Sequence, residues 1–339
     1  MPSLMQRMLL PAQSTANTSS SSGTSSISAL GALEAEVLNH WRTHDLQPLM
    51  LDSSRVDAWR RTYPTAPLQA IGIYPGIIAL SALHMYSSRA RGPEVLVLAR
   101  HYLNNPRNFG TPGPQVNAFT AMEIASLAAT LILADRAISY QEVRRPDVIG
   151  DLLSMKLRLD ILRNQVEGFA MAHRHDLMTP FVGLRGSFSH VRATLDNRFP
   201  ALSGLRAIAR SKTDAAERAS CQQILEDTFL CVWLVMDGGH SADSLRLLVT
   251  WLTLWDQTFI NMLMKKKRDG SPAPDSFVLV MLSYYAIMLH MMSSFWWING
   301  LARVVMSQAE TMLDEQWRPF IAKPKYTHAL RSADSKERR

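Results

Sequence analysis

Cysteine is almost absent: Cys221 and Cys231 are the only two in 339 residues. That excludes a disulfide scaffold and any zinc site built from several thiolates, and it fits a reducing, intracellular compartment, nucleus or cytoplasm. Metal-ligand spacing is missing as well. The chain has no HExxH and no paired CxxC, and His173 and His175, beside Asp176, are two residues apart and do not share a helix face. No metal and no cofactor is expected. There is no GxSxG, and Gly183 and Gly186 lack the strand context of a dinucleotide fingerprint. No DDxxD occurs either, since Asp135, Asp237 and Asp243 stand alone. That weighs against a magnesium-dependent terpene cyclase and leaves a metal-free one open. Cys221, among Ser, Gln and Glu neighbours, and Cys231, inside FLCVW, read as packing residues.

Period-two alternation is scarce too, and the apolar stretches are rich in Leu, Met and Ala. The fold class expected is all-α, a single large helical domain. With 47% hydrophobic and 19% charged residues the chain can build a sizeable core. Its organisation reads as a disordered Ser/Thr-rich stretch over 1–30, a helical body over 31–322 and a basic polar tail over 323–339. The opening apolar run is too short for a secretory signal and reads as an ordinary tail.

Within the body, helices are expected over 31–43, 52–62, 94–104, 115–135, 148–173 capped by Asp147, 181–195, 201–209, 214–236 and 241–264. Pro75 is expected to kink or divide the segment 68–88. Residues 276–317 read as two helices, 276–306 and 307–317, or as one bent helix. From Ser276 to Ala302 no residue is charged. The length would span a bilayer, but Ser283, Tyr284, Tyr285, His290, Ser293, Ser294 and Asn299 favour a buried central helix over an integral span.

The net charge of +7 is concentrated partly in the run Lys265–Arg268 and at the C-terminus. Such runs are ordinarily solvated, and direct DNA binding is not expected. The chemistry-bearing residues gather instead in the last third. Trp251 and Trp255 precede Tyr284, Tyr285, Met288, His290, Met292, Trp296, Trp297 and Asn299. Two readings stand for this set. It is a plain core, or it lines an adaptable apolar pocket in which Tyr284, Tyr285 and Asn299 give polar contacts. His290 is either a hydrogen-bonded buried histidine or a ligand or proton-transfer group. For an enzyme, His290, Tyr285 and Asn299 would be the catalytic candidates.

The succession CVWLVMDGG, LRLLVTWLTLWDQTFINML, LVMLSYYAIMLHMMSSFWWINGLARVVM and MLDEQWRPFI resembles the C-terminal regulatory domain of fungal zinc-cluster transcription factors, particularly the sterol-uptake-control branch. Upstream, YPGIIALSALHMYSS, VLVLARHYLNN, NAFTAMEIASLAATLILA and FVGLRGSFSHVRATL follow the same order, so the likeness spans roughly 35–321. In it Trp251 or Trp255 and Phe259 take the place of the family's tryptophan helix and loop phenylalanine. Tyr284 or Tyr285, Trp296, Trp297 and Gly300 take that of the following helix and its WW-x-x-G element. The resemblance implies a domain that binds a hydrophobic small molecule such as a sterol, terpenoid or polyketide. It also implies a homodimer or a regulator partner, and a setting in fungal secondary metabolism. The departure is that two cysteines cannot form the family's six-cysteine zinc cluster. Two functions follow as expectations. One is a transcription-regulator-like protein without a DNA-binding domain of its own, acting through partners. The other is a metal-independent cyclase or pericyclase that folds a hydrophobic intermediate in a helical cavity.

Overall fold

The computed structural model describes residues 23–44, 73–105, 118–142, 147–170, 195–238, 242–266, 270, 272–298 and 300–321. The expected helix over 52–62, all but the last residue of the one over 181–195, the tail from 323 onward, and the residues His173, His175, Asp176, Gly183, Gly186 and Asn299 lie outside them. Among the described residues there is no strand, and the chain is all-α. A lone antiparallel bridge joins Lys266 to Pro272.

Helix α1 runs from Gly23 to Thr43. It starts ahead of the expected boundary at 31, inside the Ser/Thr-rich stretch. Extending an existing helix avoids the nucleation penalty, and Ala29 and Leu30 are strong helix formers that carry it through the weaker serines. Helix α2 spans Ile73–Ser87 and α3 spans Pro93–Asn104. Pro75 therefore sits in the first turn of α2. Its missing N–H would have no intrahelical acceptor there, so the proline opens the helix instead of kinking it. Helices α4 (Ala118–Glu142) and α5 (Val148–Ala170) follow. Asp147 caps α5 as expected, its Oδ1 accepting from the Gly150 N–H at 3.0 Å.

Helix α6 is Ala201–Ser211 and α7 is Ala215–Gly238, the latter capped by Asp214 through the Glu217 N–H at 2.7 Å. The segment 241–264, expected as one helix, is two: α8 (Ala242–Thr253) and α9 (Gln257–Leu263). The break has a specific cause. Asp256 Oδ1 accepts from the Phe259 N–H at 2.7 Å and from Ser220 Oγ at 2.8 Å, so it starts a new helix and ties that start to α7.

The charge-free stretch is also divided. Helix α10 is Ser276–Met291, 16 residues capped by Asp275, and α11 is Leu301–Met312, followed by a 3-10 turn at Glu315–Trp317. The interruption falls at the Trp296–Gly300 element, not at 306. Gly300 takes φ +87°, in the left-handed region that side chains avoid, and heads α11. No helix among the described residues is long and apolar enough to cross a membrane.

Helix α10 is buried on every face from Phe277 to Leu289, which is how an all-round apolar helix is accommodated in water. It packs against α7, α8, α9 and α11. Helices α1 to α4 form a second group in which α2 meets α1, α3 and α4. The two groups join where α5 meets α8 and α11, and where α4 meets α11. Their apolar side chains form one continuous core. Buried charge within it is paired: Arg206 on α6 grips Glu226 through Nε at 2.7 Å and also contacts Asp196. In the basic run, Lys265 pairs with Glu217 at 2.8 Å and with Asp275 at 3.7 Å.

Candidate functional site

Consecutive residues of an α-helix point about 100° apart. Tyr284 and Tyr285 therefore leave α10 in different directions, and the expected set of ligand residues divides with them.

On one side Tyr285 lies flat on Trp251 of α8, ring centroids 4.4 Å apart and planes 13° apart. Trp255 meets Trp251 edge-on at 5.1 Å, and Phe259 of α9 follows Trp255 at 5.2 Å. All four rings are buried. The Trp251 indole N–H donates to Thr228 Oγ1 of α7 at 2.8 Å, while the Thr228 hydroxyl donates to the Ile224 carbonyl at 2.6 Å. The other two polar handles of the cluster, Trp255 Nε1 and the Tyr285 hydroxyl, are buried without a hydrogen-bond partner among the described residues. Burial pushes the Tyr285 phenol up from its ordinary value of 10.0, so it stays neutral and can donate.

On the other side Tyr284 packs against Phe229 of α7 at 4.5 Å and Phe199 at 6.3 Å. Its hydroxyl donates to the Phe320 carbonyl at 3.3 Å. The Phe320 ring in turn crosses α6 at Gly204, where an added Cβ would sit 3.1 Å from it. Met288 follows Tyr284 by four residues and Tyr285 by three, between the two faces. Met288 and Met292 are buried.

Trp296 and Trp297 occupy the turn between α10 and α11. Trp297 is buried, tilted against Phe295 at 6.0 Å. Trp296 is half-buried and stands edge-on to His84 of α2 at 5.3 Å. His290 is half-buried in the last turn of α10. It lies five residues from Tyr285, about 140° around the helix axis, so these two catalytic candidates do not share a face.

Two groups of polar residues were not singled out by the residue pattern. Thr228 gave no signal beyond its place in an apolar run. His40 and His84 form the second group: His40 Nε2 lies 2.8 Å from His84 Nδ1, and the His44 ring stacks on His40 at 3.8 Å. The available signal was position. His40 lies between Val37 and Trp41 on the buried stripe of α1, where a neutral ring needs a partner. Burial lowers His40 from 6.5 to about 4, with His44 and His84 adding to the effect, and burial lowers His84 as well.

Nucleophilic chemistry finds no activated thiol here. Cys221 and Cys231 are buried; burial pushes Cys221 up to about 12 and Cys231 well above its ordinary value. Among the described residues no three His, Cys, Asp or Glu side chains are grouped to hold a metal ion. Asp135 is committed to Arg100 at 2.8 Å. Against known proteins, no family model, no curated sequence and no solved structure matches the chain.

Proposed function

We propose that this chain is a regulator-type helical domain that binds a hydrophobic small molecule at the Trp251–Trp255–Tyr285 cluster and acts through protein partners. The observation that carries the reading is the pair of donors buried in an aromatic cluster with no partner among the described residues, Trp255 Nε1 and the Tyr285 hydroxyl. A buried donor without a partner costs about 1–3 kcal/mol, and a molecule presenting an acceptor oxygen among these rings recovers that cost. Trp and Tyr faces with nearby Met side chains suit a rigid, largely apolar skeleton such as a sterol, terpenoid or polyketide. The ordered likeness of the chain to fungal regulatory domains supports the regulator assignment. With two cysteines, this sequence cannot supply the zinc cluster that reads DNA in that family.

The test uses the full chain and dehydroergosterol, followed by energy transfer from tryptophan. Saturable transfer is expected, with affinity reduced about tenfold, or about 1.4 kcal/mol, in Tyr285→Phe, which deletes only the hydroxyl. Equal affinity in Tyr285→Phe and Trp255→Phe would remove the cluster from the binding site. Chemical conversion of a bound biosynthetic intermediate, read by mass spectrometry, would replace the regulator with the metal-independent cyclase.

A further inference from the structure

Helix α1 is held to the rest of the molecule by a short series of polar contacts. Ser81 Oγ of α2 donates to the Val37 carbonyl at 2.9 Å. Arg91 grips the Glu36 carboxylate, its Nε donating at 2.7 Å. The Tyr102 hydroxyl of α3 donates to Glu34 Oε1 at 2.6 Å. Innermost among the titratable contacts is the pair formed by the buried His40 and the half-buried His84. The Glu36–Arg91 pair, by contrast, stands largely in water.

Two imidazoles 2.8 Å apart share one hydrogen: one ring donates and the other accepts. A first proton is compatible with that contact, because an imidazolium can donate to a neutral ring. A second is not, because two N–H groups would then face each other. The surroundings offer little relief. Just beyond α1 the ring stacked on His40 is His44, another base, while on α1 Glu34 and Glu36 are engaged by Tyr102 and Arg91. Helix α2 carries no charged residue besides His84 itself. From the α10–α11 turn comes Trp296, and residues 292–298 carry no charge. On α3, Glu94 lies in the first turn and His101 sits edge-on to Tyr102. On α4, Asp135 and Arg136 are paired with Arg100 and Asp151.

We propose that the His40–His84 pair is a proton-operated latch: closed when at most one ring is charged, it pins α1 to α2 beside Trp296, and protonated on both rings it releases α1. Release frees the buried faces of Val37 and Trp41 and leaves His84, beside Trp296, without its partner ring. The depressed basicity of both rings keeps the latch shut at neutral pH. Arg91 holds the Glu36 carboxyl below its ordinary range.

Hydrogen exchange of the full chain at about pH 7.5 and about pH 5, corrected for the intrinsic rate, tests the latch. Amides of 33–43 are expected to lose up to about tenfold in protection per pH unit for each proton taken up, while amides of α10 keep theirs. Equal loss in α1 and α10, or none in either, would overturn the proposal. His84→Gln, which offers polar atoms but no titration, is expected to hold α1 at both pH values; release at the wild-type pH would move the effect to the carboxylates and refute the latch. If α1 is already loose in that variant at neutral pH, His44→Ala decides. It leaves the pair whole and removes a repelling charge, so the release is expected at lower pH, and an unmoved midpoint would refute the latch.

Discussion

Thr228 shows how much one hydroxyl carries in a dry setting. It is fully buried, accepts from the Trp251 indole and passes its own proton to the Ile224 carbonyl. Thr228→Val keeps the shape and deletes both bonds, leaving the Trp251 N–H a third unpaired donor beside Trp255 and Tyr285. The expected loss is about 1–3 kcal/mol in equilibrium denaturation. Thr228→Ser keeps the hydroxyl and gives up one methyl, for about 1 kcal/mol; parity of the two variants would show that packing, not the hydrogen bond, matters at this position. That the aromatics of α10 are buried was legible from their place in a charge-free run. Which of them meet was not. An apolar stripe tells the reader which way a helix faces, and α10 has none, since it is buried all round. Tyr284 and Tyr285 were therefore interchangeable as letters, yet one stacks on Trp251 while the other reaches Phe320. The resemblance to regulatory domains left the same choice open.

At the scale of the element, the all-helical class, the cap at Asp147 and the start of α7 were readable because each rests on a short-range rule of composition or capping. The breaks were harder. Apolar residues continue through Leu254 and Trp255 without a glycine or proline, so the pattern from 241 to 264 reads as one helix. What ends it is a tertiary contact: Asp256 caps α9 and also receives the Ser220 hydroxyl from α7. Asp256→Ala is expected to cost about 0.5–2 kcal/mol, the range for losing a helix N-cap, and to raise exchange first in 257–263. Asp256→Asn keeps the side-chain oxygen and should retain most of the stability. If the alanine variant were as stable as the parent, the break would have to be ascribed to packing of Trp255 and Phe259 instead. The α10–α11 break follows the same logic, because a left-handed Gly300 is visible in sequence only as a glycine. The contacts of α5 with α8 and α11 join elements far apart in the chain, and no local pattern announces them.

For the whole molecule the histidine cluster sets the direction of the acid response. His40 binds a proton at about 4 when folded against 6.5 ordinarily, so in the interval between them the unfolded chain holds more protons than the folded one. Stability from keeping His40 neutral is thus complete above about 6.5 and drains away as the pH falls toward about 4; His84, lowered in the same direction, adds to the slope. Glu36 acts lower down. Its folded carboxyl is depressed by Arg91, so its contribution is present above the ordinary 4.5 and is lost only as the pH falls further. The His40 window opens at about 6.5, above the ordinary carboxylate value of 4.5, which makes the assignment measurable. Urea midpoints taken across the acid range should decline first between about pH 6.5 and 4. That first decline should flatten in His40→Gln or His84→Gln and persist in Glu36→Gln. A decline that begins only below the carboxylate range, and is abolished by Glu36→Gln, would mean that the exposed ion pair and not the buried imidazoles governs how firmly α1 is held. The first result would tie the molecule's acid sensitivity to the place where α1 meets α2 beside Trp296.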